Sequence, residues 1–468
     1  MIPHSQTIED LKLPLNFKGD SLSFPKLIED FCINAENLIR QEIKQFLEQM
    51  DYKFRYSKDR TKNYYVNKTL ERTITCMYGD ITYCRTIYKD KLTGKYYCYV
   101  DEKLGIDKYV RYTNDVACYI AEAYSDENSM IKVGNETGNL IYAKFSLCDN
   151  RFHNIPRQTV YNLMKRVKPI RIMPTQDKKE VELLNILIDE KYLPDHKKKD
   201  DEGKSIRSSK MTKAALIVEG LDKTNKKRHK YINPQYYSIC DDINFADELI
   251  EYLDNHYNLD KLKGIYILAD GANWIKSTAK DIKLPGIKLT QFLDKFHFHQ
   301  SLWRICKKEE IYKKAVEYLY HNDKENLYAL FNSLNNTEAD SKNINYIKNN
   351  YKLIQNTIHL KNMNCAMEQA ISHHIHSQFD NVPKVYSDSG IKRYLSFRDN
   401  YRNKENIKIL FLLGLEDKNK NTDKTIINKK PLNTSFFDDL IVPQEYSLKL
   451  SSGKKIVSFS NPSSLSFI

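Results

Sequence analysis

Three acidic residues stand apart by their surroundings. Asp189 follows the largely apolar run 183–188, Asp270 follows the apolar run 265–269 and precedes Gly271, and Glu368 lies in the short helical pattern Cys365-Ala-Met-Glu-Gln-Ala-Ile-Ser-His373. A carboxylate at the end of a buried strand is costly unless it is paired or faces a cation, and ligand sites in open α/β sheets gather at the carboxyl ends of strands. Carboxylates are hard oxygen donors, and three of them brought together can hold two Mg²⁺ or Mn²⁺ ions about 3.5 to 4 Å apart. One ion then activates an attacking oxygen, from water or a 3′-hydroxyl, and the other stabilises the leaving 3′-oxygen. That is phosphodiester chemistry on a nucleic acid. Taken singly, Asp270-Gly271 reads as an ordinary turn and Glu368 as a surface glutamate, so the expectation rests on the trio.

Other chemistries find less support. Phe296-His297-Phe298-His299 and His373-His374-Ile375-His376 have spacings that zinc or nickel could use, yet two of these histidines sit on an apolar stripe or beside aromatic residues, where packing explains them. Asp294, just ahead of the first cluster, reads either as a further site acid or as a strand-end residue. The 14 glycines are scattered, with no G-x-x-x-x-G-K-[ST] and no G-x-S-x-G, which argues against ATP hydrolysis and against a serine hydrolase of the elbow type. Nine cysteines without a C-x-x-C pair signal neither a disulfide framework nor a zinc knuckle.

The elements that must position the acids alternate strand and helix. Segments 181–188, 211–219 and 231–240 read as strands, 245–257 as a helix, 265–269 as a strand of the buried kind, and 287–292 as a strand after a short helix. Three strands, a helix, then two strands with a helix between them fit a mixed sheet with helices on both faces, the order of the ribonuclease-H-like sheet. A Tyr-, Lys- and Asn-rich helical stretch, about 300–363, separates the last strand from the Glu368 helix. There Met367, Ala370, Ile371 and His374 form one apolar stripe, with Glu368 at its border.

Upstream, residues 24–50 repeat apolar positions at three and four residues and read as a helix pair for packing or dimerisation. Residues 70–100 alternate as an antiparallel meander with turns at Gly79-Asp80 and Thr93-Gly94, and 113–124 and 129–138 return to helical spacing. A helix then follows with Asn154 as a plausible N-cap, Pro156 in its first turn and Val160, Leu163, Met164 and Val167 as its apolar stripe. Arg157, Gln158, Tyr161, Asn162, Lys165 and Arg166 are left to face outward, which suits the recognition element of a helix-turn-helix. The bland alternative is a basic surface helix. Lys197, Lys198 and Lys199, with Arg207 and Lys210 nearby, are candidates for phosphate contacts or a solvated loop. Trp274 and Trp303 could stack on an unpaired base or simply pack.

At 468 residues the chain is too long for one ordinary domain. Its 74 Lys and Arg against 61 Asp and Glu give a net charge of +13, a balance that favours a polyanionic partner. Hydrophobic residues at 41% and aromatics at 12% exclude a wholly disordered or collagen-like chain. No run approaches the roughly 18 to 20 apolar residues of a membrane span, and the first residues carry no signal-peptide core. The expectation is a soluble, cytoplasmic, nucleoid-associated chain with no membrane partner.

Four ordered segments, Ile188-Asp-Glu190, Ala269-Asp-Gly-Ala-Asn-Trp-Ile-Lys276, Phe292-Leu-Asp-Lys-Phe-His297 and the glutamate segment 365–373, together resemble the ISLre-type insertion-sequence transposases, long catalogued as an uncharacterised protein family. The N-terminal half is similar too, through Arg72-Thr-Ile-Thr75, Tyr78-Gly-Asp-Ile-Thr-Tyr-Cys-Arg-Thr-Ile-Tyr88, Asp101-Glu102 and Arg157-Gln-Thr-Val160. The resemblance covers about 70–415. It departs at the glutamate, where Asn364 and Ala366-Met367 replace the family's small residues.

The resemblance implies a DDE-type transposase with a ribonuclease-H-like core, its acidic triad falling on Asp189, Asp270 and Glu368 and its two ions being Mg²⁺ or Mn²⁺. Its DNA partners would be the element's terminal repeats and target DNA, and it would work as a homodimer or larger assembly. The expected organisation is a helical region over 1–69, a small antiparallel β region over 70–112 and a candidate helix-turn-helix over 113–170. The catalytic core then spans 178–415, interrupted by the helical insertion, and a loosely ordered tail occupies 416–468. The alternatives are a DNA-binding protein without catalysis, such as an inactive or repurposed transposase, and a ribonuclease-H-like nuclease that cuts without joining.

Overall fold

A computed structural model describes residues 24–106, 108–127, 129–143, 153–172, 177–194, 198–199, 205–206, 209–224, 230–240, 244–334, 338–360, 374 and 387–415. Glu368, Lys197, Arg207 and the tail 416–468 lie outside the described residues. The architecture is mixed α/β.

The chain opens with α1 (Phe24–Arg55), one continuous helix of 32 residues where the apolar spacing suggested a pair. After Pro25 in its first turn it contains neither Gly nor Pro, so nothing interrupts the backbone bonds. Next come α2 (Lys58–Asn63) and the antiparallel strands β1 (Tyr64–Cys76), β2 (Gly79–Asp90) and β3 (Tyr96–Tyr97). β1 begins six residues before the alternation read from residue 70. One face of α1 covers this meander, with Leu47 buried among Ile74, Ile81 and Tyr83. The buried Asp51 of α1 accepts from the Thr86 N–H (3.1 Å), the Thr86 hydroxyl (2.6 Å) and the Tyr88 hydroxyl (3.2 Å).

The third strand is only two residues long because the chain turns into α3 (Tyr99–Lys103), which carries Asp101 inward. There Arg72 Nη1 lies 2.7 Å from Asp101 Oδ2, Arg85 pairs with the same oxygen, and the Tyr83 hydroxyl lies 3.4 Å from Oδ1. Four residues quoted for the family resemblance therefore meet in one buried ion cluster.

Three helices follow, α4 (Asn114–Asp126), α5 (Met130–Tyr142) and α6 (Arg157–Lys165). α6 starts at Arg157 with Pro156, not Asn154, in the capping position (φ −55°, ψ 140°). A residue before proline is pushed to extended backbone, so the helix cannot begin earlier. Val160, Leu163, Met164 and Val167 are all buried, as their spacing predicts. The turn into α6 runs against α5 at Gly134, whose carbonyl accepts from the Ile155 N–H at 2.9 Å.

The central sheet is then laid down by β4 (Leu183–Pro194), the short ribbon β5 (Lys198–Lys199) and β6 (Ser205–Ile206), and β7 (Ser209–Val218). A second ribbon, β8 (Gly220–Asp222) with β9 (Lys230–Ile232), precedes β10 (Gln235–Ile239), α7 (Phe245–His256), β11 (Gly264–Ala269), α8 (Asn273–Asp281) and β12 (Lys288–Leu293). The single strand expected over 231–240 is thus two, parted at Asn233 (φ 46°) and Pro234, which has no N–H to give a ladder.

Five strands pair in the order β10-β7-β4-β11-β12. β7 runs antiparallel to both of its neighbours, β10 and β4, whereas β11 runs parallel to both β4 and β12. Both faces are covered, which explains the continuous apolar run in β4. On one side Leu184, Ile186, Ile188, Ile265 and Ile267 pack under α7 and α8. The other side presents Leu187, Ala214, Leu216, Leu268 and Phe292 to α4–α6 and to the two helices that close the described chain.

After β12 the helices α9 (Lys295–Cys306), α10 (Glu309–Tyr320), α11 (Lys324–Ser333), α12 (Glu338–Asn349) and α13 (Tyr351–Ile358) build a separate apolar core around Phe298, Leu302, Leu319 and Phe331. The described chain closes with α14 (Asp388–Arg402) and α15 (Ile407–Gly414), which return to the sheet.

A Cβ built on Gly134 would stand 2.1 Å from the Ile155 carbonyl oxygen. Backbone cannot yield as a side-chain tip does, so Gly134→Ala should cost about 3 kcal/mol. Denaturant unfolding of the variant checks this, and an unchanged midpoint would contradict the close crossing.

Candidate active site

β4 and β11 run in parallel with Leu187 opposite Leu268, and β11 and β12 with Ala269 opposite Leu293. Continued two residues past the first pair, this register brings Asp189 level with Asp270, and continued one residue past the second it brings Asp270 level with Asp294. In the other direction Asp189 pairs with Ala214 on β7, and Ala214 with Ser238 on β10. One row across the sheet thus reads Ser238, Ala214, Asp189, Asp270, Asp294. Facing strand positions share a sheet face, so these three acids project on the side of Leu187, Leu268 and Phe292.

The acids differ in what holds them. Asp189 is largely buried, and burial, reinforced by the charge of Asp270, pushes its carboxyl up to about 6. Its Oδ1 accepts from the Glu190 N–H at 2.8 Å. Asp270 Oδ1 accepts from the Ala272 N–H at 2.9 Å, and the Asp270 carbonyl accepts from the Tyr346 hydroxyl at 2.6 Å. Gly271 turns the chain with φ +89°, a left-handed conformation that favours glycine. Asp294 is the N-cap of α9, with Oδ1 3.2 Å from the Phe296 N–H and Oδ2 3.6 Å from His297 Nε2. Engaged in this way, it serves the helix start more directly than it serves its two neighbours.

Glu190 points to the opposite face, where Trp274 Nε1 donates to its Oε2 and Lys213 Nζ lies 5.3 Å from the Trp274 ring centroid. Burial raises the Glu190 carboxyl, the Trp274 bond opposes that, and the Asp270 charge adds to it. Lys276, one turn into α8, has its ammonium lowered by partial burial against the pull of Asp270. Trp274 is therefore a wall residue, while Trp303 is half exposed and meets Tyr312 edge to face at 5.4 Å.

The described histidines of the two clusters have other partners. His299 Nδ1 pairs with the Tyr312 hydroxyl at 2.9 Å, and His374 is buried with Nε2 2.6 Å from Asp399 Oδ1 and 3.4 Å from Ser238 Oγ. Among the described residues no three His, Cys, Asp or Glu side chains are gathered as a metal-ligand set.

Of the expected DNA-contacting residues, Arg157, Gln158, Asn162 and Lys165 are exposed on α6, while Tyr161 and Arg166 are half buried. Gln158 Nε2 donates to Asn162 Oδ1 at 2.9 Å, so these two form one amide pair on the helix face. Lys198 and Lys199 form β5, and Lys210, in β7, is paired with Asp388. No described helix is long and apolar enough to cross a membrane.

The model of the uncharacterised protein family UPF0236 matches residues 18–403. The chain belongs to this family. Two UPF0236 proteins of Caldanaerobacter subterraneus subsp. tengcongensis are each 25% identical to it over 379 residues, covering 78% of this chain and 74% of each relative. A third from the same organism is also 25% identical, over 71% of its own length. Among solved structures, the Drosophila P element transposase strand transfer complex aligns at 12% identity with a TM-score of 0.23, over 67% of this chain and 82% of that one. That superposition is too loose to bear on fold or function.

In the UPF0236 chain the Asp189–Asp270 pair fits a hard divalent cation. Two oxygen donors stand side by side, and burial, with the charge of Asp270, holds one of them up near 6. The residues around the pair that sequence patterns did not single out are Glu190, Lys276 and Tyr346. Glu190 and Lys276 sit within the quoted motifs beside the two aspartates. Tyr346 had no signal, being one of 33 tyrosines and 76 residues from its partner.

The raised carboxyl has a stability consequence in the UPF0236 chain. Between the ordinary value near 4 and about 6 the folded state binds more protons at Asp189 than the unfolded state, so its contribution is present at low pH and lost as pH rises through 6. Without divalent metal, Asp189→Asn should therefore stabilise the protein by on the order of 2 kcal/mol at pH 8. The gain should fade below pH 5. Urea unfolding at both pH values measures it, and a pH-independent difference would contradict the assignment.

Proposed function

We propose that the chain is a DDE-type transposase of the ISLre type, which cuts the ends of an insertion sequence and joins them to target DNA. The observation that carries this is the register of the parallel pair β4 and β11, which, continued two residues past Leu187 and Leu268, brings Asp189 level with Asp270 just beyond the end of β11. Three antiparallel strands followed by two parallel ones, in the order β10-β7-β4-β11-β12, favour a ribonuclease-H-like core. α9–α13, with their own apolar centre, correspond to its insertion.

Asp189, Asp270 and Glu368 are the residues that would hold two Mg²⁺ or Mn²⁺ ions. When bound, such ions activate the attacking oxygen and stabilise the leaving one. The reach of Glu368 is bounded by His374, which is fastened to Ser238 in the same row as Asp189. Two strand spacings make about 10 Å from Ser238 to Asp189, a distance within the reach of the six residues of chain that separate Glu368 from His374.

The chain's own groups do the rest. Lys276 brings positive charge to the Asp270 side, suited to a non-bridging phosphate oxygen. Glu190, tied back by Trp274, keeps its charge on the other face and away from the phosphate. Water first attacks the phosphorus at the element end, the P–O3′ bond breaks, and the 3′-oxygen leaves with a proton. That hydroxyl then attacks a target phosphodiester and displaces its 3′-oxygen.

The α4–α6 unit supports a helix-turn-helix reading, with α6 as the recognition helix and Arg157, Gln158, Asn162 and Lys165 toward the bases and phosphates. Tyr161 and Arg166 would support that face, and Lys197, Lys198 and Lys199 would meet phosphates further along. Two element ends call for a homodimer or larger complex.

Incubation of a labelled element-end duplex with Mg²⁺ or Mn²⁺ should give cut and joined products that disappear in Asp270→Asn and Glu368→Gln. Binding without cutting in the unaltered protein would favour a DNA-binding protein without catalysis, and cutting without joining a nuclease. Separately, Arg157→Ala with Lys165→Ala should weaken end binding and reduce the slope of log affinity against log salt by about 2 if both meet phosphates. An unchanged slope would remove α6 from the interface.

A further inference from the structure

The turn that carries Asp270 is gripped from the helical insertion. The Tyr346 hydroxyl, on α12, donates to the Asp270 carbonyl at 2.6 Å, while Asp270 Oδ1 accepts from the Ala272 N–H at 2.9 Å. The peptide between Asp270 and Gly271 is thus fixed at its oxygen, and the side chain is fixed at one of its two carboxylate atoms. Behind it, Asn350 Nδ2 donates to the Tyr346 carbonyl at 2.9 Å, and Asn350 Oδ1 would lie 2.8 Å from a Cβ on Gly271. Asn350 is only 2% exposed. The insertion holds the neighbouring strand as well, since the Thr357 hydroxyl lies 2.8 Å from the Leu293 N–H and 2.9 Å from its carbonyl.

Packing alone does not require this bond. The insertion has its own apolar centre, and a phenylalanine would fill the volume of Tyr346 apart from one oxygen. A tyrosine hydroxyl is both donor and acceptor, and facing a carbonyl oxygen it can only donate. A backbone carbonyl locked in this way sets the direction of the next bonds in the chain, and with Oδ1 already taken it fixes where Oδ2 aims.

We propose that Tyr346 is a positioning residue for the catalytic pair, through which the helical insertion sets the aim of the Asp270 carboxylate and hence the affinity of the site for a divalent ion. This rests on Asp270 being a metal ligand. Residues that orient ligands in this manner typically change metal affinity about 10- to 100-fold when removed.

The test compares the full chain with Tyr346→Phe and Asp270→Asn in two measurements. In metal-free protein, hydrogen exchange of the amides of Gly271 and Ala272 should quicken about tenfold in Tyr346→Phe, while protection in α7 stays unchanged and shows that the fold is intact. In calorimetric titration with Mn²⁺, Tyr346→Phe should bind about 10-fold or more weakly and Asp270→Asn should not bind. Unchanged exchange in the turn overturns the proposal, and so does Mn²⁺ affinity within about twofold of the unaltered protein. Absence of Mn²⁺ binding in the unaltered protein would overturn the metal reading of Asp270 first and this inference with it, with faster exchange then marking only a structural bond.

Discussion

Two carboxylates brought level on adjacent, buried, parallel strands are costly through burial and through their mutual repulsion, and the polar bonding around them holds them there. At a strand spacing of about 5 Å and an effective dielectric near 20, two unit charges cost about 3 kcal/mol. The effect is visible at Asp189, whose carboxyl rises toward 6 from burial and from Asp270 together. A protein indifferent to this row would have placed apolar residues there, as it does two positions earlier at Leu187 and Leu268.

The surroundings make sense as the means of keeping that pair in place. The sheet is covered on both sides, so its strand ends are rigid. α7 and α8 supply one apolar layer, and α4 with α14 and α15 supplies the other. Polar bonds are then made where strands end. Tyr346 holds the turn after β11, Thr357 holds the end of β12, and Asp399 of α14 accepts from the Ser238 N–H of β10 at 2.6 Å while pairing with His374. Burial lowers the His374 imidazole even against the pull of Asp399, so it is a neutral anchor more than a charged one.

The same physics recurs away from the site with the opposite outcome. Asp51 and Asp101 are also buried, but each meets hydroxyls, amides or guanidinium groups that satisfy it within the meander. Such carboxylates hold α1 and α3 onto the sheet and have no chemistry left to offer. Asp189 and Asp270 face each other instead. That contrast separates structural acids from the candidate site better than burial does, because all four are substantially removed from water.

Much of the core was legible from sequence because its signals are local. The apolar runs ending in Asp189 and Asp270 give the buried strands, the stripe of Val160, Leu163, Met164 and Val167 gives α6, and the order of strands and helices gives a mixed sheet. Local signals also misled where the deciding force was elsewhere. Apolar spacing over 24–50 suits a helix pair as well as the single α1, because periodicity does not report where a helix ends; the segment 231–240 hides a break at Asn233-Pro234; and Asn154 has the chemistry of a cap, but Pro156 holds Ile155 extended and takes the capping position itself. The sequence by itself determined that an acid follows each of two buried apolar runs, since a charged residue after an apolar run is visible in one dimension, although β4 continues past Asp189 to Pro194. Only the tertiary structure decided that they stand at the same level on the same face, that Asp294 turns to cap a helix, and that a tyrosine 76 residues away grips the turn between them. Register and long-range hydrogen bonds depend on how distant segments close around one another, and no local pattern encodes that distance.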